Sequence, residues 1–71
     1  MATMEQIKAF LALLETIREM IEASGPQGIP AGHLYAMLMP HNVSLAVFEK
    51  CVGILVEAGR VTRKSHLLRA A

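Results

Sequence analysis

Side chains able to do chemistry are few in this chain, and their spacing gathers none of them into a centre. Cys51 stands alone, the histidines are His33, His41 and His66, and all six acids are Glu. No pair of Cys or His has the spacing of metal ligands. No close carboxylate pair offers acid–base chemistry. Cys51 falls on an apolar helical stripe, where a thiol packs rather than attacks. The glycine-containing stretch GPQGIP, residues 25–30, lacks the Lys-Ser/Thr of a phosphate-binding loop. The reading is a protein that is not an enzyme, with no catalytic residue, no metal site and no cofactor.

Charge carries more. The chain has a net charge of +1, distributed unevenly. Residues 1–25 hold Lys8 and Arg18 against Glu5, Glu15, Glu19 and Glu22, a balance of −2. Residues 59–71 hold Arg60, Arg63, Lys64 and Arg69 with no acid, a balance of +4. That asymmetry suits an anionic partner for the tail. It equally suits an exposed edge hairpin kept soluble by Lys and Arg.

The elements that must position these residues follow from periodicity and punctuation. Helix 1 is predicted over about 4–23. Thr3 and Gln6 form a capping-box pattern, and Ser24-Gly25-Pro26 is a stop. Ile7, Phe10, Leu14, Ile17 and Ile21 make its apolar stripe. Met4 and Leu11 widen the stripe on one side and Leu13 and Met20 on the other, to roughly 200° of arc. So wide an arc predicts an interface on helix 1 through Met4, Leu11, Leu13 and Met20, with a homodimer as the expected state. Gln27 to Ile29 suits a short strand. Helix 2 is predicted over about 31–39, with Leu34, Met37 and Leu38 inward and Pro40 ending it. Ser44 is a good N-cap for helix 3, about 44–58, and Gly59 suits its left-handed exit. Residues 60–70 alternate and contain β-branched positions, as a hairpin does.

Seventy-one residues make one domain, 1–71, mainly α with a small β-hairpin. So short a chain buries only about 60% of its unfolded surface, and one cysteine leaves no internal disulfide to help. The apolar runs Ala9–Leu14 and Leu34–Met39 are shorter than the roughly 18 residues a membrane span needs. The expectation is a cytoplasmic protein that does not enter a membrane.

This order of elements resembles the winged helix-turn-helix superfamily, three helices followed by a C-terminal wing, as in MarR-like and ArsR-like bacterial regulators. The stretch LVEAGRVTR, Leu55–Arg63, carries most of the resemblance. The third helix of that superfamily often ends in Leu, three polar residues, Gly, an apolar residue and Val. Here Leu55, Gly59 and Val61 fit, and Phe48, Cys51 and Val52 fit as inward positions. The resemblance implies a small regulator bound to double-stranded DNA. Arg60, Arg63, Lys64, His66 and Arg69 of the wing would meet phosphates, with Ser44 and Lys50 as secondary contacts.

The sequence departs from that pattern in three places. Arg60 stands where an apolar residue is usual. The outward face of helix 3 shows Ala46, Glu49, Lys50, Gly53 and Glu57, which is poor in donors for base edges or phosphates. Val47, Ile54 and Val56 lie on its shoulders. These departures support a second expectation, a protein-interaction module that uses helix 1 and the outer face of helix 3 without binding DNA.

Overall fold

The structure, a computed structural model, describes residues 2–71. α1 runs Met4–Ala23, followed by β1 (Ile29–Pro30), α2 (Ala31–Leu38), α3 (Leu45–Glu57), β2 (Val61–Lys64) and β3 (Leu67–Ala70). The three strands form one antiparallel sheet in the order β1-β3-β2. Three helices with such a sheet are compatible with a winged-helix-like fold.

Local chemistry explains the helix ends. The Thr3 hydroxyl accepts the Gln6 N–H at 3.1 Å, and the Gln6 side chain accepts the Thr3 N–H at 2.9 Å. The capping box is thus complete. Ser44 Oγ accepts the Val47 N–H at 3.2 Å and caps α3. At the far end of α3, the Gly59 N–H reaches Val56 O and the Arg60 N–H reaches Leu55 O. That is a Schellman closure. It needs a residue at positive φ, and Gly59 sits at +75°.

α2 is one residue shorter than expected, and Pro40 does not end the helical path. Met39–His41 continues as a 3-10 turn with Pro in its first positions, where no N–H is required. The turn stops at Asn42, in the left-handed region at φ 61°. β1 also lies later than expected, at Ile29–Pro30 rather than Gln27–Ile29. Gly28 sets this limit. At φ +75° it passes so close to β3 that a Cβ would lie 2.5 Å from the Leu68 carbonyl oxygen.

The core comprises Ile17 and Ile21 of α1, Ala31, Leu34 and Leu38 of α2, the buried face of α3, and Val61 and Leu68 of the sheet. All four inward positions expected on α3, Phe48, Cys51, Val52 and Leu55, are buried. Tyr35 tilts onto Phe48 with ring centroids 5.5 Å apart. Two expected core residues are not there. Met37 is exposed, and Ala31 takes its place in the core. Ile7 is 42% exposed, because it lies ahead of the part of α1 that packs on the core. Phe10, Leu13 and Leu14 pack half-buried against the core, and Ile17 and Ile21 are buried within it.

Candidate interaction surfaces

The hairpin decides where the basic residues point. β2 and β3 pair Val61 with Ala70, Thr62 with Arg69, Arg63 with Leu68, and Lys64 with Leu67. Side chains alternate between the two faces of a sheet, and paired residues share a face. Val61 and Leu68 are buried, so they mark the inner face, and Arg63 lies on it with them. Thr62, Lys64 and Arg69 lie on the outer face.

Arg63 therefore reaches α3. Its guanidinium donates to Glu49 Oε2 at 2.9 Å, a contact spanning 14 residues of sequence. Glu49, on the outward face of α3, is thus the partner of a hairpin arginine. The pair is partly exposed, so it contributes at most about 1 kcal/mol. Its effect on the surface is larger than its effect on stability. It neutralises the one wing cation on the inner face and ties the hairpin to the middle of α3.

The other expected anion contacts do not converge on one patch. Lys64 and Arg69 are exposed on the far side of the sheet. Arg60, at the base of the hairpin, lies close enough to α1 for its charge to lower the pKa of Glu15. His66 is exposed in the two-residue turn with Ser65, and its carbonyl accepts the Ala31 N–H at 2.6 Å. That bond continues the β1–β3 ladder to the turn, so the hairpin does not project beyond its neighbour. Ser44 is engaged as the cap of α3. Lys50 is exposed on α3 and borders a shallow groove of about 350 Å³ with Gln6, Ile7, Phe10 and Leu11 of α1.

Apolar surface is the more prominent feature. On α3, Leu45 and Val56 flank the outward side near the wing, and Val47 and Ile54 flank it near α1. The strip between them carries Ala46, Glu49, Lys50, Gly53 and Glu57, with nothing within 4 Å of the position a Gly53 Cβ would take. On α1, Met4 is 68% and Leu11 57% exposed. Leu13 and Met20, expected to share that interface, lie elsewhere. They pack half-buried against the core and line a second groove of about 630 Å³ between α1, the end of α2 and the start of α3. No charged side chain lines it.

Farther along α1, Arg18 binds both Glu15 and Glu22. The Arg18 hydrogen bond is the main reason that Glu15 sits below the usual carboxylate pKa. This triad continues the helical stripe of Met4, Ile7 and Leu11, so that stripe is apolar in its first half and ion-paired in its second. Among the described residues no three His, Cys, Asp or Glu side chains gather as metal ligands, and no helix is long and apolar enough to cross a membrane.

Alternation from the buried Val61 was enough to place Arg63 inward, since position 63 repeats the face of 61. The grooves had no such signal, because each is made by elements distant in sequence. Comparison with known proteins gives no match: no protein family, no curated protein and no solved structure is significantly similar to the chain.

Proposed function

We propose that the chain is a winged-helix-type module that binds protein. It meets partners through the outer side of α3 and the first half of α1. The ion pair between Arg63 and Glu49 carries this reading. The hairpin cation nearest α3 is occupied by Glu49 of α3 itself, which leaves Ala46, Lys50, Gly53 and Glu57 between the exposed apolar side chains of Leu45, Val56, Val47 and Ile54. Such a surface offers a nucleic acid few donors and offers a protein close approach at two small residues flanked by apolar ones. The fold alone does not decide between them. The module is non-catalytic, and it works in the cytoplasm.

The test is a pull-down from nuclease-treated extract of the native host. A partner should be retained by the wild-type chain, lost with Ile54→Glu, and kept with Lys64→Ala/Arg69→Ala. Loss of the partner only in the Lys64/Arg69 variant would refute the assignment to α3.

A second reading rests on a different observation. Lys64 and Arg69 share the outer face of the hairpin, and no acid follows Glu57. In that reading the chain is a DNA-binding transcriptional regulator that contacts phosphates without reading bases. Fluorescence anisotropy on duplex DNA at two salt concentrations tests it. Binding at low salt that falls uniformly across DNA sequences in Lys64→Ala/Arg69→Ala supports phosphate contact. No binding at low salt sinks it.

A further inference from the structure

We infer that the exposed face of α1 formed by Met4, Ile7 and Leu11 is covered by the same face of a second copy, antiparallel, about a two-fold axis beside Ile7. The inference rests on the proposal that α1 is an interaction surface, and it names the partner. Three observations support it.

First, the stripe is self-complementary. Met4, Ile7 and Leu11 follow one another at i, i+3 and i+7, on one line of an α-helix. Two such lines laid antiparallel about Ile7 set Met4 of each copy against Leu11 of the other, with Ile7 against Ile7. Every layer is then apolar on apolar.

Second, charge limits the register. Glu15, Arg18 and Glu22 follow on the same line and are already tied to one another. A longer overlap would press Ile7 or Met4 against that triad. In the register about Ile7 the overlap stops before it. Lys8 at the edge of the stripe then lies within one turn of Glu5 of the other copy, and the reverse pair forms by symmetry.

Third, area sets the strength. Met4, Ile7 and Leu11 keep 68%, 42% and 57% of their surface. Together that is on the order of 300 Å² of exposed apolar surface per copy. A standard interface removes about 800 Å² per partner. The α1 contact is therefore a weak one.

Sedimentation equilibrium of the full chain from 5 to 1,000 µM tests this. The expected result is a monomer–dimer equilibrium, with the dissociation constant raised at least tenfold by Ile7→Glu. Lys8→Glu and Glu5→Lys should each weaken it several-fold, and the double swap should restore it. Circular dichroism confirms that each variant is folded. A folded wild-type chain that stays monomeric throughout overturns the inference, as does association that ignores Ile7→Glu. So does a double swap that remains weak. All of these variants lie on α1, and Ile54 does not line the groove that Ile7 shares with Lys50, so the Ile54 pull-down reports separately on the proposed partner surface of α3.

Discussion

Gly53→Ala should make the protein more stable. Gly53 lies in the interior of α3, and a Cβ added there meets nothing within 4 Å. No steric term opposes the change. What remains is the backbone entropy that Gly loses in a helix, about 0.8–1.0 kcal/mol relative to Ala. In a domain this small, 1 kcal/mol moves the melting temperature by about 4–8 °C. A thermal melt by circular dichroism at low micromolar concentration should show that rise, and urea unfolding should show a higher midpoint with an unchanged slope. An unchanged or lowered melting temperature would refute the reasoning, because it would mean the space above Gly53 is filled. The same substitution probes function with the opposite sign. A partner that packs closely on the strip between Leu45, Val56, Val47 and Ile54 loses contact when a methyl group stands there. Higher stability together with weaker partner binding is the expected pair of results.

Gly28→Ala is the contrasting case: its Cβ would lie 2.5 Å from a β3 carbonyl at φ +75°, so a loss of about 2 kcal/mol or more is expected in urea unfolding. Cys51 is fully buried and its burial raises the thiol pKa, so iodoacetamide should label it slowly between pH 7 and 9 and rapidly once denaturant is added; fast native labelling would refute its place in the core. Glu15 has a folded pKa below its unfolded one, chiefly through the Arg18 hydrogen bond. Its contribution is present above the unfolded value, about 4.3, and is lost as the pH falls through the folded one, so melts at pH 2–5 should lose part of their pH dependence in Glu15→Gln.

Much of the fold was legible in the sequence because its signals are local. Thr3 with Gln6 fixed the start of α1, and Ser44 and Gly59 bracketed α3. What was read less sharply, the bounds and partner of β1 and the type of the hairpin turn, depends on contacts across the chain. β1 exists because Ile29 pairs with Leu68 and Pro30 with Leu67, and nothing within GPQGIP announces those partners. The hairpin turn uses Ser65 at φ 58°, a position usually taken by Gly, Asn or Asp, so its residue type gave no turn signal. Ile7 fits the helical stripe as well as Ile17 does. Periodicity reports which residues share a face and not how far along the helix the core extends. Met37 was misplaced for a related reason: α2 is eight residues long and its inward arc is filled by Ala31, Leu34 and Leu38.

The candidate surfaces turn on parity. Arg63 and Lys64 are neighbours in sequence and look interchangeable as wing cations. Strand alternation sends them to opposite faces, one toward Glu49 and the other toward solvent. A one-residue slip of β2 would reverse this, freeing Arg63 and burying the stem of Lys64. The buried Val61 prevents that slip, because its side chain would leave the core. The residue that secures the hairpin to the core therefore also neutralises half of the basic pair behind it. Winged-helix-like shape and DNA contact separate at this point. The resemblance in shape rests on Leu55, Gly59 and Val61, which the chain has. DNA contact by the hairpin would rest on its cations, and of the neighbours Arg63 and Lys64 the first is held by Glu49.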